Sequence, residues 1–501
     1  MCSRLTRLLV LIAALVCTGS LRMVAAFTAA DYATALRLSI LFYDVQRSGV
    51  LPNWQRVRWR GNSAIYDGTQ SNARLSGGYY DAGDNMKFGF PMAFSMTLLS
   101  WSAVDFREEL KQAGQLGHTL NAIRWGTDYL LKAYTAPNEL WIQVGDPNSD
   151  HACWERPEDM DTPRPAFQVN TNRPGSDVAA ETAAALAAAS LAFRNLDSIY
   201  SARLLTSAIQ VFNFANNYRG KYSDSFGGVV CPFYCSYSGY NDELVWGAAW
   251  LYKATRDVTY LQYLISNGAT LGGTTESVNS FDWDNKYAGA QVLLSAFVLG
   301  ENDGGLHGYK ARADNFICSI LPRSVSPVTQ TAFTPGGLLF RSGQSNLQYV
   351  TTAAFLATVY GNYLSNSRST VSCGGAIITP LQLASFAKSQ VDYILGANRL
   401  GMSYMVGFGP KYPQQVHHRA ASLPSKRVYP GMIYCQQGFS WFQTAKPNPN
   451  QATGAVIGGP DQSDNLNDVR SNYAQMEPTT YINAPLVGVL ASLAEGSKGY
   501  K

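Results

Sequence analysis

The stretch Gly77-Gly78-Tyr79-Tyr80-Asp81-Ala82-Gly83-Asp84-Asn85 sets two carboxylates three residues apart among glycines, just ahead of a helix-like segment. Glycine lets the backbone come close to a ligand, and the small neighbours leave space beside each acid for a water molecule. Such a pair can act in catalysis, ligate calcium or, at Asp84, cap the helix that follows.

A second cluster runs from Gly458 to Pro478 and crowds Asp461, Asp464, Asp468 and Glu477 around Arg470. Asp468 and Arg470 are expected to pair. Glu477 stands before Pro478, a position that disfavours helical geometry and can precede a helix start. Nearness to a helix N-terminus stabilises a carboxylate, which opposes what a proton donor needs at neutral pH, so burial or a neighbouring acid has to raise its pKa. The plainer reading is a capped helix start. A third stretch, Ser403 to Gly409 followed by Tyr412-Pro413 and Val416-His417-His418-Arg419, offers a histidine and an arginine able to face polar hydroxyls. Adjacent histidines point apart, so a metal shared by His417 and His418 is not expected. Two acid clusters far apart in the chain, together with many flat rings, fit glycoside hydrolysis, in which two carboxyl groups flank the scissile bond and aromatics stack on sugar faces.

Those residues need a scaffold. The chain has 501 residues, of which 46% are hydrophobic, 12% aromatic and 15% charged. Charge this sparse, against roughly 25% in an average soluble protein, excludes a disordered tail and leaves a polar but uncharged surface. Residues 1–26 begin with Arg4 and Arg7, continue through the apolar run Leu8 to Cys17 and end on Val24-Ala25-Ala26. This is the pattern of a secretory signal peptide, and the run falls short of the roughly 20 residues a membrane span needs. Removing it leaves 36 basic against 35 acidic side chains, which gives no footing for nucleic acid. Six cysteines then remain, Cys153, Cys231, Cys235, Cys318, Cys373 and Cys435, an even number suited to an oxidising compartment. Cys231 and Cys235 can bridge locally, and partial pairing is expected of the rest. No CxxC or HExxH pattern suggests zinc, and no Asn-x-Ser/Thr acceptor is present.

From Phe27 onward, helix-like segments alternate with Gly-, Pro- and Asn-rich loops. The segments are 31–47, 92–101, 120–134, 177–195, 201–218, 243–254, 258–267, 286–299, 308–321, 347–365, 380–395 and 485–495. Ser176-Asp177 followed by Glu181 and an alanine-rich run is the clearest start, and its small face implies close helix approach. About twelve helices and no linker read as one all-α domain over 27–501. A toroid of paired helices suits that number, but periodicity supports many helices and not the closed ring.

At this point the motifs carry a resemblance. Leu75-Ser-Gly-Gly-Tyr-Tyr-Asp-Ala-Gly-Asp-Asn-Met-Lys-Phe88, Cys153-Trp-Glu-Arg-Pro-Glu-Asp-Met-Asp161, Pro174-Gly-Ser-Asp-Val-Ala-Ala-Glu-Thr182 and Trp283-Asp-Asn-Lys-Tyr-Ala-Gly289 resemble glycoside hydrolase family 9 endoglucanases of the secreted plant type. The two C-terminal clusters match that family's His/Arg and Asp/Glu signatures. The resemblance implies an (α/α)6 barrel with an open cleft that hydrolyses internal β-1,4-glucosidic bonds with inversion, the two carboxyl groups about 6.5–9.5 Å apart.

It further implies Asp84 as general base, Asp81 as a holder of the water, Glu477 as general acid, His417 and Arg419 as hydroxyl binders and Asp468 as a supporting acid. Trp154, Tyr240, Trp283, Tyr349 and Tyr473 are cleft aromatics by analogy, with core packing as the other reading of each. No cofactor is required. Ser238, Gly239, Asp242, Glu243 and Asp284 lie where some relatives hold a structural calcium. Leu466 and Met476 depart from the usual pattern beside the acid. The expected partner is a β-1,4-glucan and the expected state a secreted monomer of the cell wall, free of the membrane once the signal is cleaved and without a carbohydrate-binding module. The same machinery acting on mixed-linkage glucan, xyloglucan or glucomannan, and a catalytically silent wall-binding relative, are the alternatives.

Overall fold

The computed structural model describes residues 27–322 and 324–496, so the signal-peptide segment lies outside the described residues. Among them are twelve helices of ten residues or more: α1 (Ala29–Gln46), α2 (Gly89–Asp105), α3 (Leu116–Ala133), α4 (Ser176–Phe193), α5 (Ser198–Asn217), α6 (Asn241–Thr255), α7 (Val258–Asn267), α8 (Tyr287–Glu301), α9 (His307–Ile320), α10 (Leu347–Ser367), α11 (Pro380–Leu395) and α12 (Thr480–Glu495). The even-numbered helices pack in a ring, α2 on α4, α4 on α6 and so on to α12, which returns to α2. Each odd-numbered helix covers one of them from outside: α3 on α2, α5 on α4, α7 on α6, α9 on α8, α11 on α10 and α1 on α12. The closed ring, invisible to periodicity, follows from this contact order.

Sequence separates the two layers. Every residue of α4 except Leu191 is buried, as expected for a helix apolar or small on all sides, and its alanines allow neighbours to approach closely. In α5 burial is confined to a stripe that includes Tyr200, Leu204, Ala208, Val211, Phe212 and Ala215, the pattern of a helix with one face to water. At the ring's centre Trp101 of α2 meets Trp246 and Trp250 of α6 and Phe355 of α10, with ring centroids 5.7, 5.4 and 5.2 Å away. These contacts are tilted or edge-to-face, the geometry ring quadrupoles favour.

Helix ends differ from the sequence expectation in one informative place. The last helix begins at Thr480, capped by the Thr479 hydroxyl, and Pro485 lies inside it. Proline is a strong start signal, but here the Thr479 cap starts the helix before it, and buried Asn483 in the preceding turn donates to the Ser39 hydroxyl and the Gly454 carbonyl. All six remaining cysteines pair, as Cys153–Cys435, Cys231–Cys235 and Cys318–Cys373, where partial pairing was expected.

The links from inner to outer helices are short, such as 194–197 and 256–257, while those from outer to inner are long: 47–88, 134–175, 218–240, 268–286, 321–346 and 396–479. Each long link delivers the chain to the N-terminus of an inner helix, so all six gather at one mouth of the ring. A small antiparallel sheet braces two of them. Strand β3 (Glu139–Val144) pairs with β1 (Lys87–Phe88), β2 (Tyr134–Ala136) and β4 (Ala166–Val169), with Lys87 opposite Val144. Truncating the central Trp101 to Ala is expected to cost about 3–5 kcal/mol of stability, read as a lower urea midpoint with specific activity of the folded fraction preserved.

Candidate active site

Asp81 and Asp84 lie on the 47–88 link immediately before β1, and Glu477 lies on the 396–479 link immediately before α12. Neither acid follows its capping reading. Helix α2 is capped by Phe88 without a side-chain bond, and α12 by Thr479. Instead Glu477 Oε1 accepts the Gly83 N–H at 3.1 Å, which brings a residue 394 positions away in sequence onto the amide next to Asp84. The close approach requires glycine: a Cβ at Gly83 would meet the His417 carbonyl oxygen at 2.0 Å.

Asp81 and Asp84 are buried and Glu477 is partly so, and loss of hydration is the main force on each. Glu477 is pushed up to about 8, first by burial and then by the charge of Asp84. Asp81 is raised well above the carboxylate range by burial and again by Asp84, although the Tyr234 hydroxyl donates to its Oδ2 and favours the ionised form. Asp84 reaches only about 6: burial and Asp150 raise it, while His151, Arg419 and the Met86 N–H hold it down. Carboxyls in one another's fields do not all ionise. At neutral pH the negative charge therefore belongs to Asp84 and a proton to Glu477.

Around them opens a cavity of about 630 Å³, lined by Trp154, Trp283, Tyr349, Tyr473, His417 and Arg419 among others. Tyr240 is not among its lining residues. It caps α6 and packs partly buried against the core, while Tyr237 faces the cavity in its place. His417 is pushed down to about 3 by burial and by Arg419, so its ring is neutral. Its Nδ1–H donates to the Arg470 carbonyl at 2.7 Å, which leaves Nε2 as an acceptor. His418 turns away, its Nδ1 accepting from Ala421 and its Nε2–H donating to Gln46 Oε1 at 2.8 Å.

Arg419 is committed largely within the protein. Its guanidinium donates to the carbonyls of Cys153, Gly83 and Asp150 and lies 5.0 Å from the Trp154 ring centroid. Asp468 stands outside the cavity and accepts the amides of Gln414 and Gln415 at 2.8 and 2.9 Å. It shapes the segment leading to His417 and does not reach the reacting groups. Nor does it pair with Arg470, whose guanidinium donates to Asn448 and to the carbonyls of Trp441, Phe442, Thr444 and Lys446. Met476 is fully buried and gives its carbonyl to the His417 amide, so the departure beside Glu477 is a packing residue.

The glycosyl hydrolase family 9 model matches residues 32–490. The chain belongs to this family. Curated plant relatives include "Endoglucanase 1" of Arabidopsis thaliana, 57% identical over 93% of this chain and 91% of its own length. "Endoglucanase 1" of Persea americana is 55% identical over 96% of each. Among solved structures, a termite endoglucanase from Nasutitermes takasagoensis superposes with a TM-score of 0.82 at 42% identity, over 93% of this chain and 99% of that one. The endoglucanase CelQ of Clostridium thermocellum, complexed with cellobiose and cellotriose, gives 0.77 at 32% identity over 94% and 71%. The ring of six helix pairs is thus the (α/α)6 barrel of family 9 endoglucanases.

In this family 9 chain the sequence reading missed several residues that line the cleft. Tyr234 and Phe233 lie on the short bridge between Cys231 and Cys235, and His151 stacks on Phe233 with centroids 4.5 Å apart. That bridge marked the loop as fixed, but nothing in its spacing said what it faced. The calcium candidates do converge. Asp284 accepts the amides of Tyr237 and Ser238 at 2.8 and 3.0 Å, and the Ser238 hydroxyl lies 3.3 Å from both Asp242 oxygens. Lys286 Nζ sits 3.2 Å from Glu243 Oε1 in the first turn of α6, yet Glu243 Oε2 is buried without a donor. Burial first, and then the negative charges of Asp242, Asp177 and Asp284 that this lysine does not cancel, raise Glu243 well above the carboxylate range. Hard oxygens with an uncancelled charge fit a divalent cation such as calcium.

Glu477→Gln is expected to lower kcat by about 10²–10⁴-fold while raising the melting temperature at alkaline pH. A carboxyl whose folded pKa is raised loses stability as pH climbs to that value, a loss the amide does not suffer. Thermal melts of both proteins across neutral to alkaline pH check this.

Proposed function

We propose that this chain is an inverting endo-1,4-β-glucanase acting on internal bonds of cellulose-type glucans. The observation that carries the reading is Glu477 on the Gly83 amide: a protonated carboxyl held beside an ionised one in an aromatic-lined cleft. Asp84 takes a proton from a water, whose oxygen attacks the anomeric carbon from the face opposite the leaving group. Glu477 passes its proton to the departing glycosidic oxygen, and the anomeric configuration inverts. Asp81, tied to the Tyr234 hydroxyl, holds the water, while His417 Nε2 accepts from a sugar hydroxyl. Trp154, Trp283, Tyr349 and Tyr473 offer ring faces to the glucan.

Secretion to the cell wall is supported by the signal pattern of residues 1–26 and the three cystine pairs. Among the described residues no helix is long and apolar enough to cross a membrane. The chain is proposed to act as a monomer on β-1,4-glucan, and rates on cellulose-type, mixed-linkage, xyloglucan and glucomannan substrates rank its preference.

The mechanism fixes the pH response. Asp84 must be ionised, so kcat/KM on carboxymethylcellulose falls as pH drops below about 6. Glu477 must be protonated, so it falls again as pH rises above about 8. A bell with those limbs is expected, and Asp84→Asn and Glu477→Gln should both abolish it. Equal output from all three proteins rejects the assignment, and NMR detection of β product formed first contradicts inversion. Calcium held by Ser238, Gly239, Asp242, Glu243 and Asp284 is proposed to stabilise the barrel mouth without entering the reaction. Chelation should lower the melting temperature and added calcium restore it, whereas an unchanged melt removes the ion from the account.

A further inference from the structure

Beside the reacting pair lies a second constellation of donors. One ligand atom each from Asp84, Asp150 and His151 fall within 4.8 Å of one another, which no other group of three His, Cys, Asp or Glu residues achieves among the described residues. Asp150 is 3% exposed and its Oδ2 receives no hydrogen bond, the Arg419 guanidinium 3.1 Å away being an ion-pair contact only. His151 Nδ1 lies 2.6 Å from the Pro147 carbonyl and 4.0 Å from Asp150 Oδ2; in the tautomer that donates to that carbonyl, Nε2 keeps its lone pair and a small turn of the ring presents it to an ion. A backbone carbonyl fixing the far nitrogen is the arrangement that orients imidazole ligands on metals. Stacking on Phe233 holds the ring plane.

Asp84 and His151 line the cleft with buried Asp150 behind them, and two carboxylate oxygens with one imidazole nitrogen suit a borderline transition ion such as Co²⁺, Zn²⁺ or Cu²⁺ and suit calcium poorly. We propose that Asp84, Asp150 and His151 form a capture site for such divalent ions, so that binding occupies the carboxylate assigned as general base and stops hydrolysis. The Arg419 charge opposes the ion, so capture is reversible by a chelator. The binding itself does not depend on the hydrolytic reading.

Co²⁺ is the probe, titrated into the full chain with calcium in excess so that hard-oxygen positions are filled. Its visible d–d absorption should report one bound ion with a nitrogen ligand. His151→Gln and Asp84→Asn, each shown folded by its melting curve, should weaken binding tenfold or more, while His307→Gln, an exposed histidine, should bind as the wild type does. Saturating cellotetraose should displace the ion. Unchanged binding in both site variants, or a band indifferent to cellotetraose, overturns the site. Cobalt that binds as described and leaves hydrolysis untouched keeps the site and instead removes Asp84 from the reaction.

Discussion

Three carboxyl groups, two of them buried and the third partly so, repel within one another's fields, and the repulsion is relieved only by keeping protons on some of them. Asp84 stays the most acidic because Arg419, His151 and the Met86 amide favour its charge, and that charge in turn keeps Glu477 protonated. Acid and base roles therefore come from the surroundings and not from residue type. The arrangement is costly, so it needs a frame that cannot relax around it.

The ring supplies that frame. Inner helices α4 and α10 are buried almost throughout, and the indole cluster at the centre locks opposite walls. With stability generated there, the long links at the mouth are free to carry polar and strained residues. Inner helices all present their N-terminal ends to this mouth, where partial positive charge eases the crowding of acids. Arg419 ties the links together, touching the 47–88 and 134–175 segments from the 396–479 segment.

Much of this was legible in the residues. The alternation of helices is written in apolar spacing, and the alanine-rich Ser176–Phe193 helix announces its buried position. Asp81, Asp84 and Glu477 stood out because glycines and a proline flank them in sequence. Closure of the ring was not legible, because it is a property of which helices touch. The expected pairing of Asp468 with Arg470 misled: the two are close in sequence, but backbone amides of Gln414 and Gln415 occupy Asp468. Tyr240 misled because it stands at the cap of α6, packed partly buried against the core and away from the cleft lining. Tyr234 and His151 had no signal of their own, as their importance arises from loops meeting in space.

Ring closure has a temporal side. Helix α12 seals the barrel against both α2 and α1, yet it is the last of the twelve to leave the ribosome, and Glu477 precedes it by only a few residues. A nascent chain can assemble most of the wall, but it has neither the final stave nor Glu477, the proposed proton donor. Under the proposed mechanism, hydrolytic competence arrives in one step at the end of synthesis, and a chain terminated before Glu477 lacks it.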